Sequence, residues 1–156
     1  FLDDNFSNDW KVEYQKSNEY LSSNPKAFNM QHDIFLTSKT ADRRKVIIDT
    51  KYKLRPADFK NDIKKGIAQA DLYQMTSYAF RRGCKDIFLL YPNITEEINE
   101  PDIFEINSGF STDDKIKITA MEIPFWKESN LDVAILETKL KTTLKEQLEK
   151  LKSPNR

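Results

Sequence analysis

The chain has 156 residues and a formal net charge of zero, with 38% apolar and 32% charged residues. This length predicts one domain with its own core and is short for two. Ten Phe, six Tyr and two Trp exclude a disordered chain. The single Cys excludes an internal disulfide and a thiolate metal cluster, which indicates a reducing, intracellular setting. No apolar run approaches the ~20 residues of a membrane span, and no signal peptide is visible, so a cytoplasmic protein is expected.

Charge is distributed unevenly along the chain. Residues 37–65 hold ten Lys and Arg against four Asp, a balance of +6, whereas residues 93–137 hold eleven acidic residues against three Lys, a balance of −8. The split is compatible with a basic face or with an ordinary solvated surface. The first residue is Phe1, so a piece of a longer protein is expected, and residues 1–156 form a single predicted domain.

The N-terminal part predicts two strands. Residues 1–9 are polar and acidic and are expected to be a frayed entry. Apolar and polar residues alternate over 10–14, which predicts a half-buried strand. Ser22 to Pro25 predict a turn, and residues 30–36 predict a second strand that carries Asp33 between apolar neighbours.

A third strand is predicted over Lys45–Leu54, because β-branched residues dominate its centre. A short polar connection joins it to the second strand, which indicates an antiparallel hairpin. Pro56 ends the strand, and a helical pattern is predicted from Asp58.

The clearest helix covers Asp71–Arg82, with apolar residues at three- and four-residue intervals. Gly83 suits its C-terminal cap. The continuous apolar run Asp86–Pro92 predicts a central strand, parallel to the third strand through the helical crossover.

The C-terminal part predicts a short strand over 103–106 and a peripheral strand with one wet face over 115–123. An amphipathic helix is predicted over 132–151, with its C-terminal end at Ser153 and Pro154. Its leucine stripe favours core packing, and a surface for a partner is the alternative.

The second and third strands carry the residues with chemical interest. Asp33 and Asp49 lie on adjacent predicted strands, where two carboxylates can ligate one Mg²⁺. The backbone carbonyl of Thr50 is a natural third ligand, and Lys51 is placed to orient the attacking water or help deprotonate it. A weak ion pair at a solvated strand end is the alternative for Asp49 and Lys51. His32 alternates to the opposite face and is interpreted as structural.

The 71–82 helix adds an amide and a phenol. Gln74 and Tyr78 lie four residues apart and share a face, so both can reach a phosphate or a metal-bound water. In the alternative, Tyr78 packs half-buried and Gln74 faces solvent.

Four motifs in this order resemble the nuclease domain of the McrC family, the endonuclease subunits of McrBC-type, modification-dependent restriction systems. The motifs are Asp33, Ile48–Lys53, Asp71–Met75 with Tyr78 and Ala79, and Leu89–Pro92. They also resemble the wider PD-(D/E)XK nuclease superfamily, including the Gln-x-x-x-Tyr helix motif of its RecB-like branch. The resemblance covers residues 10–92.

The resemblance implies a restriction-endonuclease-like α/β fold, a central mixed β-sheet flanked by helices, and Mg²⁺-dependent hydrolysis of DNA. Position by position, it implies catalytic roles for Asp33, Asp49, Lys51, Gln74 and Tyr78 and metal binding by Asp33, Asp49 and Thr50. It further implies a McrB-like AAA+ GTPase partner, and a homodimer is one route to double-strand cleavage.

Two departures from the family pattern stand out. His32 replaces the usual Pro before the first Asp, which we expect to be tolerated because that Pro shapes the backbone and does not ligate metal. Glu13 lies on a predicted strand, not on a preceding helix, so no fourth acid is assigned. The alternatives are a RecB-like exonuclease or resolvase without a GTPase, and a non-catalytic interaction domain that works through its C-terminal helix.

Overall fold

The computed structural model describes residues 1–15, 19–94, 99–107, 115–124 and 133–152, which form three helices and eight strands. The elements are α1 (Leu2–Phe6), β1 (Trp10–Tyr14), β2 (Glu19–Ser23), β3 (Lys26–Met30), β4 (Ile34–Ser38), β5 (Lys45–Thr50), α2 (Gln69–Arg82), β6 (Asp86–Asn93), β7 (Asp102–Asn107), β8 (Lys115–Pro124) and α3 (Val133–Lys152).

Six strands form one mixed sheet in the order β1-β4-β5-β6-β8-β7, and β2 and β3 form a separate hairpin. Strands β5, β6 and β8 are parallel, while β1, β4 and β7 pair antiparallel with their neighbours. The predicted α/β class with a central mixed sheet flanked by helices is confirmed. The predicted antiparallel hairpin of the second and third strands is β4 and β5.

The sheet has one apolar layer on each face because strand side chains alternate. On β5, Ile47 packs into the layer that holds Met75 and Ala79 of α2. Its neighbour Ile48 packs into the opposite layer with Leu148 of α3. Helix α2 therefore covers one face of the sheet, and α1 and α3 cover the other.

Helix α2 and the parallel pairing of β5 with β6 agree with their predictions. The helix ends at Gly83, which has a left-handed φ of 59°. The Cys84 N–H bonds to the Ala79 carbonyl, as expected at such a C-terminal cap. Cys84 itself is buried, and burial raises the pKa of its thiol to about 12, so the side chain behaves as an apolar filler.

The predicted frayed entry at residues 1–9 is wrong, because α1 forms there. Leu2 and Phe6 are four residues apart and bury together in the α3 layer. The acidic residues between them face solvent and mask this spacing in the sequence. The β2–β3 hairpin was also missed around the correctly predicted turn at 22–25, since its strands are largely exposed.

Two strand boundaries near Asp33 and Lys51 differ from the predictions. The second strand begins at Ile34, so Asp33 precedes β4 instead of lying within it. The third strand ends at Thr50, four residues before the predicted end. Lys51 therefore follows the strand.

The helix predicted from Asp58 is wrong, and residues 57–66 form successive turns. Lys65 and Gly66 both have positive φ values, 51° and 71°, which interrupt a right-handed helix. A Cβ at Gly66 would lie 2.8 Å from the Pro56 ring, so the segment closes too tightly there for another residue.

The strand at 115–123 is not peripheral as predicted. β8 pairs with β6 on one side and with β7 on the other, so β7 takes the sheet edge. Ile118 and Met121 are buried in opposite apolar layers. Polar and apolar residues alternate at the start of β8, which is the pattern of a strand with one solvent-exposed face. The rest of β8 is buried on both faces because it lies between β6 and β7 in the sheet.

Core packing is confirmed for the C-terminal half of α3. Leu144, Leu148 and Leu151 are buried, whereas Val133 and Ile135 near its N-terminus are exposed. The predicted start at residue 132 and the end at residues 153–154 lie outside the described residues. None of the described helices has the length and apolar character that a membrane span requires.

The burial contrast along α3 gives a stability prediction. Leu148→Ala leaves a cavity in the core and is expected to lower the free energy of unfolding by about 2–5 kcal/mol. The matched control Ile135→Ala removes an exposed side chain and should change it by less than about 0.5 kcal/mol. Urea denaturation followed by circular dichroism measures both, and equal losses would contradict the assignment of Leu148 to the core.

Candidate active site

The candidate residues meet at one edge of the sheet. The parallel strands β5, β6 and β8 end there, and antiparallel β4 begins there, with Ile34 opposite Ile48. Asp33 precedes β4 directly and Asp49 lies next to the end of β5. The topology therefore brings two residues sixteen positions apart to the same place.

Asp33 is held against the end of β5 by hydrogen bonds. Its Oδ2 accepts from the backbone N–H of Thr50 at 2.8 Å and from the Thr50 hydroxyl. Within the described residues, Oδ1 of Asp33 has no hydrogen-bond partner. One carboxylate oxygen thus fixes the side chain, and the other remains available to a ligand.

Asp49 is a buried carboxylate on the α2 face of the sheet, since it lies two residues after Ile47 on the same strand and so shares its face. Burial raises the pKa of Asp49, and the charges of Asp33 and Asp71 raise it further, while Lys51 opposes the shift. The coupling to Asp33 shows that the two carboxylates lie within electrostatic reach of each other.

Lys51 forms a close ion pair with Asp49, with 2.6 Å between Nζ and Oδ2. The two side chains are only 12% and 10% exposed, so the alternative of a solvated strand-end pair does not apply. Burial alone lowers the pKa of Lys51, but Asp49 and then Asp71 outweigh it and raise the pKa overall. The side chain is therefore a charged donor at neutral pH and a poor proton acceptor.

Asp71 belongs to this cluster, although the sequence assigns it no role in the site and includes it only as the start of the helix and of the Asp71–Met75 motif. Its Oδ1 lies 3.5 Å from Lys51 Nζ, and its Oδ2 lies 2.7 Å from Lys53 Nζ. Burial would raise the pKa of Asp71, but Lys53 and Lys51 together lower it. The signal for it was present, because Asp71 lies three residues before Gln74 on the same helix face.

Gln74 and Tyr78 support the segment that carries Asp33. The Tyr78 hydroxyl accepts from Gln74 Nε2 at 3.1 Å and from the backbone N–H of Gln31 at 3.2 Å. His32 is buried and packs edge-on against the Tyr78 ring, with 6.4 Å between centroids, as its structural interpretation predicts. Among the described residues, neither Gln74 nor Tyr78 bonds to Asp49 or Lys51, so this pair organises the site from one side.

Tyr91 is a second residue that sequence reasoning did not place in the site. Its hydroxyl is buried and has no hydrogen-bond partner within the described part of the chain. Burial raises the pKa of Tyr91 to about 12, with Asp71 and Asp49 adding to the shift and Arg55 opposing it. The Tyr91 side chain lies in the apolar layer on the α2 face of the sheet, the face that also carries Asp49.

The donor set is suited to Mg²⁺. Two carboxylates and the Thr50 carbonyl are hard oxygen ligands, and Mg²⁺ commonly takes one or two carboxylates and keeps several waters. Asp33 Oδ1 is uncommitted, and Asp49 is held by an ammonium that can also bond to Asp71. No group of three or more His, Cys, Asp and Glu among the described residues is arranged to hold a metal.

The chain is similar to proteins of a known restriction-system family. Residues 1–92 match the family of McrBC 5-methylcytosine restriction system components. That stretch is more than half of the chain and contains every candidate site residue. A search of curated proteins gave no match.

The fold is similar to a chain in the half-complex from the tetradecameric assembly of Thermococcus gammatolerans McrB AAA+ hexamers with bound McrC. The TM-score is 0.57 at 16% sequence identity, and the match covers 93% of this chain and 30% of that chain. At this identity the likeness shows the fold alone, and the present chain spans less than a third of its structural neighbour. Because the family model matches more than half of the chain, the chain belongs to the family of McrBC 5-methylcytosine restriction system components.

Proposed function

We propose that the chain is a Mg²⁺-dependent nuclease that hydrolyses DNA phosphodiester bonds as the cleavage subunit of a McrBC-like restriction system. The observation that carries this proposal is the buried Asp49–Lys51 pair beside Asp33 at the carboxyl edge of the sheet. Burying a charged pair costs free energy of desolvation, and such pairs are common where they bind a ligand or take part in a reaction. Family membership makes DNA cleavage the reaction to test first.

In this proposal, Asp33, Asp49 and the Thr50 carbonyl would hold Mg²⁺. When bound, the ion lowers the pKa of a coordinated water and offsets the charge that develops on the phosphate. Thr50 fixes Asp33 through two hydrogen bonds to one carboxylate oxygen, which leaves the other oxygen for an ion. The ligands are therefore oriented before any ion arrives.

Lys51 contributes positive charge and N–H donors. Because its pKa is raised, it is expected to orient the attacking water and neutralise the phosphate, and the deprotonating role is the less favoured of the two. Asp71 offers the ammonium a second partner at 3.5 Å when Asp49 turns to another ligand. Gln74 and Tyr78 keep the segment before Asp33 in place.

The proposed partners are DNA and a McrB-like AAA+ GTPase, in the cytoplasm. The fold neighbour comes from an assembly of McrB AAA+ hexamers with bound McrC, which supports a motor partner of this kind. One site cuts one strand, so double-strand cleavage would need two copies or repeated action.

A second candidate within the same chemistry is a RecB-like exonuclease or resolvase that needs no GTPase. A non-catalytic interaction domain is a third candidate, favoured by the exposed Val133 and Ile135 on α3. Two observations distinguish these three candidates. A requirement for the motor partner separates the first from the second, and loss of cutting in the site variants separates both nucleases from a non-catalytic domain.

Asp49→Asn and Lys51→Ala are each expected to lower nicking of supercoiled plasmid by about 100-fold or more, because each removes charge from the reacting centre. The assay uses Mg²⁺, with and without the motor partner. Asp58→Asn, which changes an exposed Asp in the 57–66 turns, is the control and should cut normally. Full activity in either site variant would overturn the assignment, and cutting that ignores the partner would favour the second candidate.

Metal binding can be measured apart from cutting. Isothermal titration with Mg²⁺ in the presence of a non-cleavable DNA analogue should show weaker binding for Asp33→Asn than for the unmodified chain, by about 10-fold or more. Thr50→Val, which removes only the hydroxyl bond to Asp33, should weaken binding less. Equal affinities in all three proteins would contradict the ligand set.

Asp71→Asn tests the positioning role. The variant should lose only a little thermal stability, because the loss of its ion pairs with Lys51 and Lys53 is offset in part by relief of the repulsion with Asp49, and should lose about 10-fold in cutting rate. Lys53→Ala removes the exposed partner of Asp71 and serves as the comparison, with a smaller expected loss. A larger loss in Lys53→Ala would show that Asp71 acts through Lys53 and not through Lys51.

A further inference from the structure

A basic cavity lies at the C-terminal end of α2, where the β2–β3 hairpin meets the sheet. Its volume is about 500 Å³. Four of its eight lining residues are basic and one is acidic, a balance of +3. The basic residues are Lys26, Lys45, Arg81 and Arg82, and the acidic residue is Glu19. None of these residues belongs to the proposed cutting centre, so the cavity is a separate feature of the chain.

Arg82 forms the most firmly held wall of this cavity. Its side chain is only 7% exposed, and its guanidinium carbon lies 3.9 Å from the centre of the Phe35 ring. Nη1 donates to Glu19, while the buried Nε has no hydrogen-bond partner among the described residues. Nε and Nη2 form the edge of a guanidinium that can bond to two oxygens of one phosphate. An anion at this edge would satisfy a donor that the described chain leaves unpaired.

The other three cations come from different elements of the fold. Lys45 begins β5, and its Nζ donates to the Arg82 carbonyl at 2.9 Å. Arg81 donates from Nε to the Tyr20 carbonyl at 2.9 Å. Lys26 begins β3 and is exposed. The two anchored side chains each retain further N–H donors, because an ammonium carries three and a guanidinium five.

The dipole of α2 accounts for only part of this positive charge. A cation near a helix C-terminus is stabilised by the last carbonyls, which explains Lys45 beside the Arg82 carbonyl. Lys26 belongs to the hairpin and lies outside that helix, so the dipole does not explain it. Glu13 also interacts electrostatically with Arg82, but it forms an ion pair with Lys11 at 3.5 Å. The cavity therefore keeps an excess of positive charge that suits an anionic ligand.

We propose that this cavity binds a phosphate group of the DNA backbone at a distance from the bond that is cut. The inference rests on the proposed function, since it takes DNA as the substrate. Lys45, Ile47 and Asp49 share one face of β5, so the cavity and the cutting centre lie on the same face of the sheet. Asp71 and Arg82 lie near opposite ends of α2, roughly 16 Å apart at a rise of about 1.5 Å per residue. One turn of a DNA duplex is about 34 Å long, which is enough to contact both places.

Contact of this kind contributes affinity and orientation and carries no sequence information. Phosphate contacts fix the position of a protein on DNA, whereas sequence is read from the edges of the bases. The net charge of the whole chain is zero, so a local excess of positive charge is needed to attract DNA. Loss of the cavity should therefore weaken binding of all DNA sequences alike.

Fluorescence anisotropy with two labelled duplexes of unrelated sequence tests this inference, in EDTA and over a range of salt concentrations. Lys26→Ala removes an exposed charge of the cavity and should weaken binding of both duplexes by about 5- to 10-fold. The slope of log affinity against log salt concentration should fall by about one. Lys141→Ala is the matched control, because it removes an exposed lysine of α3, which covers the opposite face of the sheet. The control should change neither the affinity nor the slope.

Arg82→Lys tests the paired donors of the guanidinium. The variant keeps the positive charge and loses the planar fork, so DNA binding should weaken by about fivefold or more at unchanged net charge. Thermal denaturation checks that the variant is folded, and Lys26→Ala, at an exposed position, keeps the proposal testable if it is not. In the plasmid assay with Mg²⁺, Lys26→Ala should raise the DNA concentration for half-maximal cutting and leave the rate at saturating DNA unchanged.

A free phosphate ion is another source of the same chemistry. Thermal denaturation in phosphate and in chloride at equal ionic strength distinguishes it from the DNA backbone. A phosphate-dependent rise in melting temperature that Lys26→Ala reduces, together with unchanged DNA binding by that variant, would overturn the assignment to DNA. Unchanged DNA binding together with weaker capture of the motor partner by Lys26→Ala would overturn it in favour of an acidic protein segment.

Equal losses of DNA affinity in Lys26→Ala and Lys141→Ala, or no loss in either, would overturn the role of the cavity in DNA binding. Full affinity in Arg82→Lys would overturn the role of the guanidinium fork. A protein that nicks plasmid and fails these binding tests overturns only this inference. A protein that passes them and does not nick plasmid overturns only the nuclease proposal.

Discussion

The buried ion pair between Asp49 and Lys51 is the constraint on which the rest of the site depends. Two opposite charges that are only 10% and 12% exposed lose most of their hydration. Their mutual attraction offsets this desolvation cost only when the two groups are in close contact. The end of β5 supplies that geometry, because the Lys51 N–H just beyond the strand still bonds to the Leu90 carbonyl and residues two apart in extended backbone project to the same side of the sheet. The neighbouring elements supply the rest of the charge balance, with Asp33 on one side and Asp71 and Lys53 on the other.

The fold sets the position of this pair through strand direction. β5, β6 and β8 run parallel and end together, and antiparallel β4 begins at the same edge. A carboxylate before β4 and a carboxylate near the end of β5 are therefore brought together by topology and not by proximity in sequence. The crossover helix α2 then places Asp71 over the same edge, because its N-terminus follows the connection from β5.

Much of this could be predicted from sequence where the local pattern and the tertiary environment agree. The apolar run of β6 and the spacing in α2 each match what the fold requires of them. Asp33, Asp49 and Lys51 were identified because they interrupt or end apolar strands, and the structure places them at one edge. The catalytic and metal-binding roles given to them remain predictions, as do those of Thr50, Gln74 and Tyr78.

The remaining features depend on contacts that no local pattern carries. The sequence does not predict α1, because two apolar residues four apart are a weak signal within an acidic segment. Leu2 and Phe6 are buried only because they pack against the layer that contains α3. The 57–66 segment has helical composition, but Arg55 donates to the Lys65 carbonyl and pins it as turns. Asp71 and Tyr91 are distant from β5 in the sequence but interact electrostatically with Asp49 in the fold, and sequence spacing alone does not reveal this.

Helix α2 packs in the core and also supports the segment before β4 through Tyr78. These two attachments differ in strength, so the two parts of the site differ in rigidity. Met75 and Ala79 are fully buried in the sheet layer, so separating α2 from the sheet exposes core and approaches the cost of global unfolding. The segment before β4 is attached differently, since Asp33 depends on hydrogen bonds from Thr50 and the neighbouring backbone on one from Tyr78. Local opening of the site is thus confined to the Asp33 side, where amide protons should exchange by small fluctuations while those of α2 wait for the whole domain to open.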